Sequence, residues 1–293
     1  MRNNIFVLTD DLNFFYKLNK ELNRLKIKFK ILNVGNKIPI IPNSLILTTQ
    51  EELTKFETRY TSKVNILSYS NEEHIHHFII RVLAASRVPT ILHQVARNFE
   101  LVFSIDPGSK HLGLAVFLDG FYLNSHTLYS DDDLLNKIEI YIKVLQKVNQ
   151  KSLNLIFKFG SGILSLNFRL LEKIYHKFNK KKSIKIFLID ESKSSKYKIY
   201  TQDRKRIPRH EASALIIALR KGLEVDQTNI IDLIKKFKSN DLKKKIFKFE
   251  NNNKLHESLN EIAEKILSGG ISINDSIDML DDSKRINHKN FLK

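Results

Sequence analysis

The chain has 293 residues, with 49 Lys+Arg against 32 Asp+Glu, a formal net charge of +17, 10 His and no Cys or Trp. Its 42% hydrophobic content is enough for a packed core and excludes wholesale disorder. The absence of Cys excludes disulfides, thiolate nucleophiles and Cys-ligated zinc or iron–sulfur centres, so a metal would rest on the oxygen and imidazole donors that suit Mg²⁺ or Mn²⁺.

The positive excess favours a polyanionic partner, most simply nucleic acid. The longest apolar runs, such as 212–219, fall short of a membrane span. MRNNIFVLTDDL has only a short apolar stretch before Asp10 and Asp11, unlike a signal peptide. A cytoplasmic protein without a membrane partner is expected.

Residues 1–90 read as a small, flavodoxin-like α/β domain. Strands are expected at 5–9, 28–34, 44–49 and 64–69. Asp10 and Asp11 offer N-cap chemistry to a helix with Phe14, Phe15, Leu18, Leu22 and Leu25 at helical spacing. A second helix over 72–85 carries Ile75, Phe78, Ile79 and Val82 on one face, with His74, His76 and His77 on its polar side. The stretch 86–98, with Pro89, reads as a boundary.

Residues 100–222 read as a second domain. Strands at 101–105, 111–118 and 121–128 are joined by short turns, Asp119-Gly120 being a hairpin signal. A helix over 134–148, a strand at 153–159, a helix over 164–180, a strand at 184–189 and a helix over 210–221 complete the order βββαβαβα. Short turns imply antiparallel pairing and helical crossovers imply parallel pairing, so a mixed five-stranded sheet is expected. Residues 224–293 read as a helical, polar extension, with amphipathic stretches at 226–237 and 255–267 and a capping-box pattern, Ser272-x-x-Asp275.

The densest chemical signal is Asp106-Pro107-Gly108, with Gly113 after it. A carboxylate at the end of a buried strand, followed by a tight turn, holds an oxygen ligand rigidly. A glycine on the next strand allows close backbone approach. The string IDPGSKHLGLAVF and the helix from His210 resemble the RNase H-like superfamily, nearest the RuvC Holliday-junction resolvases and YqgF-type nucleases, over roughly residues 100–222.

That resemblance implies a Mg²⁺- or Mn²⁺-dependent phosphodiesterase in which carboxylates hold two metals. Asp106 matches the bridging aspartate, and Asp190 and Glu191 end the fifth strand. His210 opens the last helix. The implied catalytic set is Asp106, Asp190, Glu191 and His210, with Asp106, Glu191 and His210 as metal ligands and Glu211 as a first-turn partner of the helix. The pattern is departed from at Lys158 and Ser213, where the family has acids.

Between strand and helix runs a basic stretch with Lys193, Lys196, Lys198, Arg204, Lys205, Arg206 and Arg209, interleaved with Tyr197 and Tyr200. These cations, with Lys158, are the expected contacts to phosphate, and tyrosines suit stacking on unpaired bases. The expected function is cleavage of structured DNA, junction-like, or of RNA, by a homodimer as in junction resolvases. The alternative is a degenerate relative that binds nucleic acid without cutting. An actin-like phosphotransfer fold also opens with a strand–Asp–Gly hairpin, but it needs a second phosphate hairpin, and the sequence offers one.

Overall fold

A computed structural model describes residues 4–33, 44–55, 65–92, 98–149, 153–161, 164–178, 184–190, 198–200, 205–225 and 255–279. The chain divides into two units, residues 1–97 with 139–151 and residues 98–138 with 152–293. No helix among the described residues is long and apolar enough to cross a membrane.

The first unit contains β1 (Asn4–Val7), α1 (Leu12–Arg24), β2 (Lys30–Ile31), β3 (Ser44–Thr49), α2 (Gln50–Leu53), β4 (Asn65–Tyr69) and α3 (Ile75–Arg87), followed by a 3-10 turn, Pro89–Leu92. Its sheet has the order β2-β1-β3-β4 and every pairing is parallel. The Asp11 carboxylate accepts from the backbone N–H groups of Asn13 and Phe14, which fixes the start of α1.

Helical spacing then buries Phe14, Leu18 and Leu22. Phe14, Tyr69 and Phe78 pack ring to ring, with centroids 4.8–5.6 Å apart. Phe6, Leu8 and Ile46 form a separate buried cluster with Leu32 and Ile66. The second strand is shorter than its hydrophobic pattern suggests, because only Lys30 and Ile31 pair with β1.

The second unit opens with β5 (Phe99–Pro107), β6 (Leu112–Leu118) and β7 (Phe121–Leu128). Then come α4 (Asp131–Asn149), whose later part belongs to the first unit, β8 (Leu153–Gly160), α5 (Leu164–Phe178), β9 (Ile184–Ile189), α6 (Arg209–Ala218), β10 (Leu223–Val225) and α7 (Leu255–Leu267). Asp119 and Gly120 both have positive φ, 49° and 78°, which turns β6 back into β7 as the Asp-Gly pair requires.

The sheet order is β10-β9-β8-β5-β6-β7. The β5–β6 and β6–β7 pairs are antiparallel, and the β5–β8 and β8–β9 pairs are parallel. Among the described residues the sheet therefore has six strands rather than five, since β10 pairs antiparallel with β9.

Strand alternation gives the sheet two apolar faces. On one, Phe103 stacks on Phe157, and Phe157 on Phe178 of α5. On the other, Val102, Ala115 and Phe117 lie under α6. Ile262, Ala263 and Ile266 of α7, with Ile273, join the same cluster, so this part of 224–293 contributes core instead of standing apart as a polar extension. The helix over 273–279 begins with the expected box, in which Ser272 Oγ accepts from the Asp275 N–H and the Asp275 carboxylate accepts from the Ser272 N–H and hydroxyl. The amphipathic stretch expected at 226–237 lies outside the described residues.

Candidate nucleic-acid interface

Asp106 stands near the C-terminal end of β5, in register with Gly113 on β6. A Cβ on Gly113 would collide with the carbonyl oxygen of His210 and lie 2.5 Å from its carbon. The glycine thus lets the start of α6 lie directly on β6. Two residues earlier on β5, Ser104 Oγ donates to the Ala214 carbonyl at 2.7 Å and pins the next turn of α6.

These two fittings bring His210 Nδ1 to 2.9 Å from Asp106 Oδ2. Asp106 is 13% exposed and His210 33%. Burial pushes the Asp106 carboxyl above its usual range; the hydrogen bond from His210 and the charges of His210 and Arg209 offset this only in part.

Glu211, the acid next to His210, does not join this pair. Glu211 turns to β7, where its carboxylate accepts from Ser125 Oγ at 2.5 Å and Thr127 Oγ1 at 2.9 Å. Ser125 also accepts from the Tyr122 hydroxyl at 2.9 Å. Ser213, where the resembled family has an acid, is buried on α6.

Across the sheet, Ile105 is level with Phe159, and Phe159 with Leu188. Asp106 is therefore one residue past that row and Asp190 two. The two strands are two spacings apart, roughly 10 Å between their backbones, and Asp190 follows the end of β9. The Asp190 backbone carbonyl accepts from Arg220 Nη1 at 2.5 Å. Glu191 lies outside the described residues.

Lys158 requires a correction. Its ammonium donates to the carbonyls of Ala218, at 2.5 Å, and Arg220, at 3.2 Å, at the C-terminal end of α6. A cation there satisfies carbonyls that the helix leaves open and opposes the negative end of its dipole. Burial lowers the Lys158 pKa to about 8. It holds a helix end and is not placed as a phosphate contact.

A Mg²⁺ ion needs several oxygen donors in octahedral array. Asp106 and His210 are bonded to each other, and among the described residues no three His, Asp or Glu side chains converge as a metal site. The described donors therefore do not fit a two-metal centre.

The basic stretch is seated firmly where it is described. Tyr200 and Arg206 form an antiparallel bridge, and the Ile207 N–H donates to the Ile199 carbonyl at 3.0 Å. Ile199 and Ile207 are both buried in the cluster under α6. Beside these plugs Lys198, Lys205 and Arg206 are exposed, as is Arg209 in the first turn of α6. Arg209 is close enough for its charge to act on Asp106. Lys193, Lys196 and Arg204 lie outside the described residues.

Two rings not singled out in the sequence stand beside this centre. The His111 ring lies 5.5 Å from that of His210, and the Tyr129 ring 5.2 Å from that of His111. The histidines of α3 have a local role: His74 caps the helix, and His76 lies 3.4 Å from Glu21.

No family model matches the chain, and no curated protein matches it. Among solved structures it is similar to the crystal structure of A. aeolicus Argonaute, at 11% identity over 64% of this chain with a TM-score of 0.22. The chain spans 34% of that protein's length. It is also similar to the Aquifex aeolicus member of the Ppx/GppA family, at 11% identity over 76% of this chain and 79% of the other, with a TM-score of 0.14. Likenesses this slight carry nothing about activity, so the side chains of the site have to carry it.

Proposed function

We propose that the protein binds nucleic acid at the Asp106 end of an RNase H-like sheet and does not cut it by a metal-dependent route. The sheet order supports the RNase H-like class: three antiparallel strands, β7-β6-β5, continue into the parallel strands β8 and β9. A fold hosts many functions, so the reading rests on the side chains.

The observation that carries it is the composition of the centre. A half-buried carboxylate is joined to an imidazole, the nearby Glu211 is held by two hydroxyls, and exposed cations lie in and just before the first turn of the same helix. Among the described residues, few carboxylates and several cations suit phosphate binding better than two-metal chemistry, because each acid removed also removes repulsion of the backbone. The DNA preference, a branched substrate and a homodimer follow only from the sequence resemblance.

The test is binding and cleavage of branched DNA, duplex DNA and RNA in Mg²⁺ or Mn²⁺, with wild type and Asp106→Asn compared. The expected result is salt-sensitive binding by both and cutting by neither. Metal-dependent cutting abolished by Asp106→Asn would restore the nuclease reading and overturn this one.

A further inference from the structure

Leu112 and Leu128 are the last pair between β6 and β7, so His111 and Tyr129 follow as neighbours just beyond the sheet. Their rings meet edge to face, at 68° between planes. Tyr129 is 72% exposed although it stands among ordered strand ends. Leu112 leaves the face opposite Gly113, and beside it opens a cleft of about 280 Å³. Tyr129, Lys110, Ser130, Asp132, Arg169 and Lys173 line it with Leu112.

Arg169 is held by Asp131, with Nε at 3.0 Å and Nη2 at 3.2 Å, and Lys173 Nζ reaches the same carboxylate at 3.0 Å. Arg169 and Lys173 remain 57% and 41% exposed. A guanidinium has five N–H donors, so this pairing orients the fork and leaves donors for another oxygen anion.

We propose that this cleft takes one unpaired nucleotide of a nucleic-acid strand, its base stacked on Tyr129 and its phosphate near Lys110, Arg169 and Lys173. The inference rests on the nucleic-acid reading above and specifies its substrate class as single-stranded. Cations alone suit any phosphate; the exposed ring beside them adds a π-face, which a base can cover only when it is unpaired. The cleft, about 280 Å³, is on the scale of a single nucleotide. The ridge Tyr129–His111–His210 connects the cleft with Asp106, so a strand lying over the Asp-Pro-Gly turn would meet both.

The test is a fluorescence titration of a short single-stranded oligonucleotide carrying 2-aminopurine, in DNA and RNA forms, beside a duplex of the same sequence. Wild type should quench the probe. Tyr129→Ala should abolish the quench and weaken single-strand binding roughly 5- to 100-fold, while Tyr129→Phe retains both. Duplex affinity should not change in either variant. Lys110→Gln should lower the single-strand salt slope by about 0.7. Unchanged quench and affinity in Tyr129→Ala would overturn the cleft assignment while leaving nucleic-acid binding intact. Failure of wild type to bind any oligonucleotide would overturn both.

Discussion

Glu52 in the first unit and Asp106 in the second each stand where a central strand ends, yet the two carboxylates are treated oppositely. Glu52 accepts from Thr9, Thr48 and Thr49 hydroxyls and from the N–H groups of Asp10 and Thr49. Burial would raise its pKa, but those donors outweigh burial and hold it at about 2. Asp106 is half-buried, is hydrogen-bonded to an imidazole, and is pushed upward. A carboxylate surrounded by donors is a structural joint: Glu52 ties the ends of β1 and β3. One whose burial outweighs the help of the imidazole and the guanidinium beside it is poorly served by its own fold, as binding and reacting groups are.

The largest expected effect is that of Gly113→Ala. The added methyl would collide with the backbone of His210. It should cost about 3 kcal/mol or more, read by thermal denaturation, because two main chains must separate. Glu52→Gln comes next, at about 2–3 kcal/mol near neutral pH.

The sign for Glu52 follows from its lowered pKa. Its contribution is complete above the ordinary value of 4.5 and is lost as pH falls toward about 2. Denaturation curves of wild type and Glu52→Gln should therefore converge across that window. Lys158→Met should cost about 1 kcal/mol, since two helix-end carbonyls lose their donor, and should leave the salt dependence of nucleic-acid binding unaltered. Asp106→Asn should have the smallest effect on stability, in the stabilising direction at pH 7, because the fold disfavours the charge it removes. If Asp106→Asn destabilised the protein as much as Glu52→Gln, the contrast between the two acids would be lost.

Much of the frame was legible because its signals are local. The apolar runs at 44–49, 121–128 and 184–189 became strands with those bounds. Asp11 and the Asp119-Gly120 pair acted through neighbours a few residues away. The register of Asp106 with Gly113 explains the spacing within that motif.

What stayed hidden depends on chain brought together from far away. Lys158 looks like a replaced ligand until the carbonyls of Ala218 and Arg220 are seen beside it, some 60 positions on. β10 has two exposed residues and one buried, too few for a pattern. Thr49-x-x-Glu52 is a capping box that sequence could have revealed, but its bonds to Thr9 and Asp10 exist only because β1 pairs with β3. His111 and Tyr129 became neighbours through hairpin register alone.

The most direct measurement is the salt dependence of nucleic-acid affinity, for wild type and for a variant with Lys198, Lys205, Arg206 and Arg209 all changed to Gln. If these cations meet phosphates, the slope of log K against log salt with a single-stranded oligonucleotide should become shallower by roughly 3, near 0.7 for each phosphate no longer neutralised. Parallel lines for the two proteins would contradict the account.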